Sequence, residues 1–182
     1  MITPASVTAN SRLMMRMLRD HGPRSRSWLS QTTGLSASSV TKAVAPLLEL
    51  GWVTEGVPAR QARAGRPAVA VEPVPDAISV CGIQLSIGIA RIGLTDARAQ
   101  VRRSVDIYFD HTAPATQVLA KIAAATRGLL AAGSEPCLGV GIAVPGGVDV
   151  SRRINQSSIY LGWQDVPVAD ELEARLGLPV VL

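Results

Sequence analysis

Apolar residues recur at helical spacing near the start of the chain, between Thr8 and Asp20. The apolar stripe of this segment consists of Leu13, Met14, Met17 and Leu18. This spacing predicts an amphipathic helix. Gly22-Pro23 predicts its end, because glycine accepts a left-handed cap and proline cannot continue a helix. A second, short helix is predicted between Ser25, whose hydroxyl can cap it, and Gly34.

A third helix is predicted after Ser36, a residue type that caps helices well. Its apolar stripe is formed by Val40, Val44, Leu47 and Leu48. Its opposite face has short polar side chains and no acid, and consists of Ala37, Ser38, Ser39, Thr41 and Lys42. Such a face can enter a DNA major groove and contact bases and phosphates, and a solvated polar face is the alternative. Pro46 removes a backbone hydrogen bond and predicts a kink or break.

Two short apolar stretches, 50–55 and 68–71, predict a pair of strands after the third helix. The segment between them, 56–67, is rich in Gly, Ala and Pro and contains Arg60, Arg63 and Arg66. A basic loop between two strands in this position is typical of the wing of a winged helix-turn-helix, and a flexible linker is the alternative. Arg66 suits insertion into a narrow minor groove, where the negative potential is strongest.

After residue 75 the hydrophobic pattern changes to alternating strands and helices. The predicted strands are Ile78–Leu85, Ile87–Asp96, Val101–Phe109, Cys137–Val144 and a last one beginning at Pro179. The predicted helices are Pro114–Ala132 and Val168–Leu176. The continuous apolar run of Cys137–Val144 is typical of a buried parallel strand. The pattern therefore predicts a multidomain α/β protein, with one domain over 1–72 and a second over 76–182.

The charge of the chain is concentrated in its first part. Residues 1–72 contain nine basic and four acidic residues, whereas the remainder contains nine basic and ten acidic residues. A basic head on a near-neutral body favours contact between the head and a polyanion. No apolar run approaches the length of a membrane span, and no signal peptide is recognisable, so we expect a cytoplasmic protein without membrane contact.

Cysteine and histidine are too sparse and too scattered to indicate a metal site. Cys81 and Cys137 are distant in sequence and lie in apolar strand-like runs, which favours two buried thiols over a disulfide. His21 and His111 have no ligand-type residues at metal-binding spacing. We therefore expect no metal and no cofactor.

Several blocks of the sequence resemble the ROK family of transcriptional regulators. They are SRSWL at 25–29, TGLS at 33–36, LLELGWV at 47–53, GRP at 65–67, LGVGIAVPGGVD at 138–149, LGWQDVPV at 161–168 and LGLPV at 176–180. The resemblance implies a winged helix-turn-helix followed by an actin-like, ribonuclease-H-type α/β domain. It also implies a homodimer that binds double-stranded DNA, represses carbohydrate genes and responds to a sugar or sugar phosphate.

The chain departs from the pattern of the ROK sugar kinases. Where those kinases have an acidic residue and a Gly-Gly-Thr phosphate loop, this chain has Gln84 and Ile87. Gln84 offers no negative charge for a metal, and Ile87 makes the turn bulkier and more apolar. The family's Asn-Asp pair, with its catalytic base, would follow Leu182, so we expect a partial sensor domain without catalytic residues. Gly146 and Gly147 fit the family's active-site loop, with a tight turn as the alternative.

These observations favour a sequence-specific DNA-binding regulator over two other functions. The third helix and Arg60, Arg63 and Arg66 of the wing are expected to contact DNA, and Arg26 is expected to contact a phosphate. A partner-dependent fragment is the first alternative, because a partial sheet leaves an unpaired edge. A sugar kinase is the second alternative, and the departures at Gln84 and Ile87 argue against it.

Overall fold

The computed structural model describes residues 7–58 and 69–182. The described chain divides into two compact units. The first consists of residues up to Ala77 together with Ala97–Ala99, and the second of Ile78–Asp96 and Gln100–Leu182. Within the described residues, no helix is long and apolar enough to cross a lipid bilayer.

Three helices form the greater part of the first unit: α1 (Ala9–His21), α2 (Arg26–Thr33) and α3 (Ala37–Glu49). Each is capped by a hydroxyl that accepts a hydrogen bond from a backbone N–H of the first turn, and the caps are Thr8, Ser25 and Ser36. Gly22 and Gly34 end the first two helices with φ of 73° and 72°. The three predicted helices and the caps at Ser25 and Ser36 are therefore confirmed.

The core of the first unit is built from the apolar stripes of these helices. Its fully buried side chains include Met14, Leu18, Leu29, Val40, Val44, Leu47 and Val71. Full burial of one such side chain contributes about 2 kcal/mol of transfer free energy. This packing fixes which side of α3 faces outward, because the buried stripe leaves only the opposite face for contact with another molecule.

The prediction of a break at Pro46 is wrong, since α3 continues through Pro46 to Glu49. Proline removes only the bond from its own nitrogen to the carbonyl four residues earlier. Its carbonyl still accepts a bond from Leu50 at 3.0 Å. The flanking residues Val44 and Leu47 are fully buried, so tertiary packing holds the helix together across the missing bond.

A small antiparallel sheet completes the first unit. It consists of β1 (Arg24–Ser25), β2 (Val53–Pro58) and β3 (Val69–Pro73), in the order β1-β3-β2. The predicted pair of strands after α3 is thereby confirmed, and Pro58 is paired with Val69 at its open end. Strand β1 was not predicted, because two residues are too few to show an alternating pattern.

Eight strands occur among the described residues of the second unit. They are β4 (Ser79–Ser86), β5 (Ile89–Thr95), β6 (Val101–Tyr108), β7 (Cys137–Ala143), β8 (Gly147–Asp149), β9 (Ile154–Ser158), β10 (Trp163–Val166) and β11 (Val180–Val181). Five form a mixed sheet in the order β11-β7-β4-β5-β6. Strands β4, β5 and β6 pair antiparallel, whereas β7 runs parallel to both β4 and β11. All five were predicted.

Two helices, α4 (Ala115–Ala131) and α5 (Val168–Leu176), pack on one face of this sheet. The shared core contains alternate residues of the strands and the apolar side of both helices, among them Cys81, Ile83, Ile92, Leu119, Ile122, Val140 and Leu172. Within this unit, the intervening strand residues Gly82 and Gln84 are exposed. The mixed α/β architecture predicted for this part of the chain is confirmed.

A second, smaller sheet of the second unit was not predicted. Strands β8, β9 and β10 pair antiparallel in the order β10-β9-β8. They are short, and β9 has the polar run Asn155-Gln156-Ser157-Ser158. Such a run lacks the apolar alternation from which a strand is predicted.

The two cysteines are free thiols and not a disulfide, as predicted, but only Cys81 of the two is buried. Cys81 is fully buried on β4, and Cys137 at the start of β7 is half-buried. Burial raises the pKa of the Cys81 thiol to about 12, and the neighbouring Cys137 adds to the effect. Cys81 is therefore a packing residue that remains protonated through the neutral range.

Candidate nucleic-acid interface

Helix α3 separates its side chains into a buried and an exposed face. Val40, Ala43, Val44 and Leu47 are buried. The exposed residues are Ser36, Ala37, Ser38, Thr41 and Lys42, and Ser39 is half-buried. All six residues predicted on this helix and its cap therefore lie on its outward side. Short side chains let the helix backbone approach a partner closely, and the one charge on this face is positive.

Three hydroxyl groups cluster at the beginning of α3. Ser36 Oγ accepts a hydrogen bond from the backbone N–H of Ser39 at 3.1 Å. The same oxygen lies 3.0 Å from Ser38 Oγ and 2.9 Å from Ser39 Oγ. Ser36 thus orders the first turn as a cap, whereas Ser38 and Thr41 present hydroxyls from the exposed surface of the helix.

Arg26, the predicted phosphate contact, is held between two other side chains. Its Nε donates to Glu55 Oε1 on β2 at 2.7 Å. Its Nη1 donates to Thr41 Oγ1 on α3 at 3.4 Å. The side chains of Arg26 and Glu55 are 32% and 31% exposed. Arg26 therefore links α2, α3 and β2, and much of its charge is compensated by Glu55.

Arg24 is a further basic side chain that was not singled out from the sequence. Its guanidinium carbon lies 5.0 Å from the centre of the Trp28 ring, and its Nη1 donates to the carbonyl of Pro23 at 3.0 Å. His21 packs edge-on against the same ring, with 5.2 Å between ring centres. The spacing of Arg24 and Trp28 gives no signal of this stacking, which depends on the unpredicted strand β1.

The three arginines of the predicted wing, Arg60, Arg63 and Arg66, lie outside the described residues. Their contact with DNA stays a prediction. The strands on either side of them are described, and these place the two ends of the intervening segment next to each other at Pro58 and Val69.

Gly146 and Gly147, the predicted ligand-binding residues, lie at a tightly held turn that leads from β7 into β8 of the second unit. Gly146 has φ of 103°, and a Cβ there would collide with the carbonyl oxygen of Ser157. The buried side chain of Asn155 donates to the carbonyls of Pro145 and Gly147, each at 3.2 Å. The turn is thus required by backbone geometry, whereas ligand binding there stays a prediction.

The turn between β4 and β5 differs from a phosphate-binding loop. Ile87 is 52% exposed at its tip, and Gly88 has φ of 71°. Gln84 is exposed on β4 three residues earlier. In the described parts of the chain, no group of three or more His, Cys, Asp or Glu residues is arranged to hold a metal ion.

Comparison with known proteins relates most of the chain to bacterial proteins that are named as regulators. No family model matches the sequence. The chain is 30% identical over 168 residues to a protein of Mycobacterium tuberculosis (strain ATCC 25618 / H37Rv) named transcriptional regulator, covering 92% of this chain and 38% of that protein. It is 25% identical over 176 residues to the "Putative xylose repressor" of Caldicellulosiruptor sp. (strain Rt8B.4), covering 95% of this chain and 44% of that protein.

Solved structures share the fold of this chain. A ROK family transcriptional regulator, described as a homolog of the E. coli MLC protein, superposes with a TM-score of 0.74 at 23% identity. The match covers 94% of this chain and 44% of that one. A ROK family glucokinase from Streptomyces griseus gives a TM-score of 0.51 at 26% identity, covering 57% of this chain and 32% of that one.

These comparisons confirm the resemblance: the sequence relatives are named as a transcriptional regulator and a xylose repressor, and ROK-family structures share the fold. The regulator structure matches across nearly all of this chain, whereas the glucokinase structure matches only 57% of it. The chain spans less than half the length of the curated relatives described above, 38% of one and 44% of the other.

Proposed function

We propose that this chain is a sequence-specific DNA-binding transcriptional regulator of the repressor type. In this proposal residues 1–72 form a winged helix-turn-helix, and residues 76–182 form part of an actin-like, ribonuclease-H-type sensor domain. The observation that carries the proposal is the exposed face of α3, which combines hydroxyls and one ammonium with small side chains. The names of the sequence relatives in Mycobacterium tuberculosis and Caldicellulosiruptor support it.

The exposed face of α3 has the chemistry required for a major groove. Ala37, Ser38, Thr41 and Lys42 recur at the spacing that brings residues onto one side of a helix. Hydroxyls can donate to or accept from base edges, and an ammonium can neutralise a phosphate. Residues 36–48 contain no acidic side chain that would repel the DNA backbone.

The hairpin of β2 and β3 supports a wing next to this helix. Because Pro58 and Val69 are paired, the segment that contains Arg60, Arg63 and Arg66 begins and ends at the same end of the hairpin. Three arginines in one loop supply charge for the phosphates beside the major groove. Arg66, between glycine and proline, is proposed to enter the minor groove.

We further propose that the second unit responds to a sugar or sugar phosphate and contributes to a homodimer. Its fold is shared with a ROK family glucokinase, and one sequence relative carries the name of a xylose repressor. The turn at Gly146 and Gly147 is the proposed place of effector contact. Two copies of α3 would then read two half-sites about one helical turn apart.

Kinase activity is not part of the proposal. Gln84 lacks the negative charge that would hold a metal ion, and the exposed Ile87 leaves an apolar side chain at the tip where a kinase binds phosphate. Phosphoryl transfer depends on groups that neutralise developing charge. Sugar-dependent ATP hydrolysis by the purified chain would contradict this part of the proposal.

Selection from fragmented genomic DNA tests the proposed function. The purified chain is mixed with the fragments at a low and a high salt concentration, and the retained DNA is sequenced. We expect enrichment of a short palindromic site that survives the higher salt, near carbohydrate genes. Diffuse binding that the higher salt abolishes would contradict sequence-specific regulation and favour the partner-dependent fragment, because non-specific binding is almost entirely electrostatic.

A further inference from the structure

Three side chains of the first unit form a continuous chain of hydrogen bonds that ends on the exposed face of α3. Glu55 on β2 accepts from Arg26 Nε at 2.7 Å, and Arg26 Nη1 donates to Thr41 Oγ1 at 3.4 Å. Arg26 is the first residue of α2, and Thr41 is the fifth residue of α3. These hydrogen bonds therefore hold a hydroxyl of the proposed DNA-reading surface in place from two other elements, α2 and β2.

The direction of these hydrogen bonds determines what Thr41 can offer to DNA. A guanidinium has donors only, so Thr41 Oγ1 must accept from Arg26. Thr33 and Thr126 donate their hydroxyl hydrogens to the backbone carbonyl four residues earlier, at 2.6 Å and 2.9 Å. Among the described residues, Thr41 makes no such bond to its own helix. Its hydroxyl hydrogen is thus available to an acceptor outside the protein.

We infer that Arg26 is a positioning residue that orients Thr41 as a hydrogen-bond donor to one base of the DNA. This inference rests on the proposed function. The matching acceptors in the major groove are N7 and O6 of guanine, N7 of adenine and O4 of thymine. Thr41 is therefore a specificity-determining residue whose hydroxyl hydrogen favours a base presenting an acceptor at its position. The N4 amino donor of cytosine could pair only with the second lone pair of Thr41 Oγ1 and would leave that hydrogen without an acceptor.

Glu55 explains why Arg26 is a positioning residue and not the phosphate contact expected from the sequence. The bond between Arg26 and Glu55 joins two charged groups and is strong for that reason. A phosphate could reach the remaining N–H groups of Arg26, but it would face the negative charge of Glu55, whose Oε1 lies 2.7 Å from Nε. Orientation of Thr41 involves no such repulsion, because Arg26 contacts Glu55 and Thr41 at the same time.

Binding to a duplex library with a randomised core tests this inference. The full chain and its variants are compared by two readouts, the base preference at each position and the slope of log affinity against log salt. Thr41→Val removes the hydroxyl at nearly constant shape. Arg26→Lys keeps the charge but lacks the planar fork that reaches two partners. Arg26→Ala combined with Glu55→Gln removes the arginine without changing the net charge.

The inference predicts the same local defect in all three variants. Each loses a preference of roughly five- to tenfold, the worth of one hydrogen bond, at the same base pair of each half-site. Preferences elsewhere and the salt slope stay as in the parent chain. Thr116→Val, which makes the same change on the exposed side of α4, keeps every preference. Each variant is expected to unfold at the same temperature as the parent chain. That result would show that the defect lies in DNA recognition and not in folding.

Three results would overturn the inference. If Arg26→Lys retains every preference and the neutral double variant lowers the salt slope by about one, Arg26 is a phosphate contact. If Thr41→Val retains every preference, Thr41 does not read a base, although the proposed function stands. If the parent chain itself shows no base preference, the proposed function fails together with the inference.

Discussion

The side-chain amide nitrogen of Asn155 lies 3.2 Å from the carbonyl oxygen of Gly147 and donates to it. The same nitrogen donates to the carbonyl of Pro145, so one buried side chain holds both ends of the turn around Gly146. A fully buried polar side chain of the second unit thus holds the backbone from Pro145 to Gly147 in place. This is the turn at which we propose that an effector binds.

Replacement of Asn155 by alanine is expected to destabilise the protein. Two backbone carbonyls would lose their donor and a small cavity would form at a fully buried position, which together cost about 2 kcal/mol. Urea unfolding followed by circular dichroism measures the change. Gln156→Ala is the matched control, because Gln156 is the exposed neighbour on the same strand and its loss should cost less than about 0.5 kcal/mol. Equal stability of the two variants would contradict the role given to Asn155.

Two glycine-to-alanine substitutions should change stability in opposite directions. Gly146→Ala is destabilising, because φ is 103° and the added Cβ collides with the Ser157 carbonyl. Gly82→Ala should stabilise by about 0.5–1 kcal/mol, since an added Cβ meets nothing within 4 Å and glycine weakens a strand. Thermal unfolding of both variants checks the pair. A lower unfolding temperature for Gly82→Ala would contradict the expectation that this exposed strand position accepts a Cβ without strain.

Lys42→Ala is expected to weaken DNA binding through charge alone. If Lys42 neutralises one phosphate, the slope of log affinity against log salt becomes shallower by about one unit. Fluorescence anisotropy with the selected duplex over a series of salt concentrations gives this slope. Lys121→Ala, an exposed lysine of α4, provides the control with the same charge change. An unchanged slope for Lys42→Ala would remove Lys42 from phosphate contact.

Arg66→Ala is expected to weaken binding most on sites with A·T-rich flanks. A narrow A·T-rich minor groove has an enhanced negative potential, which attracts an inserted arginine without any contact to a base edge. The test compares the affinity of the parent and the variant for two duplexes that differ only in their flanks. An equal loss on G·C-rich flanks would make Arg66 a phosphate contact. The same change at Arg63 serves as a comparison within the segment.

The secondary structure was predictable wherever an element is long or marked by a cap. The hydroxyls of Ser25 and Ser36 and the glycines at 22 and 34 mark helix ends by local chemistry, which the sequence alone contains. Strands β1 and β8–β10 were missed, because they contain two to five residues and their pairing depends on distant parts of the chain. The break predicted at Pro46 was wrong for a related reason, because the burial that stabilises α3 across this proline is a tertiary effect.

The candidate site was predictable as a list of residues but not as a network. Periodicity correctly placed Thr41 and Lys42 on the exposed face of α3. It gave no sign that Arg26, 15 positions before Thr41, would donate to it, or that Glu55, 29 positions after Arg26, would accept from the same side chain. Contacts between elements depend on the packing of the unit, so the pairing of Arg26 with Glu55 and Thr41 at the surface could not be predicted, and its contact with a phosphate stays a prediction.

The measurement that tests the central claim most directly is the genomic DNA selection repeated with an acid on the face of α3. Ser38→Asp places a negative charge at the second residue of α3, where an acid favours the helix, so the fold is retained. Thr116→Asp makes the equivalent change at the second residue of α4. The account predicts that the parent chain and Thr116→Asp enrich the same palindromic site and that Ser38→Asp enriches none. Recovery of that site by Ser38→Asp would contradict the claim that α3 reads DNA.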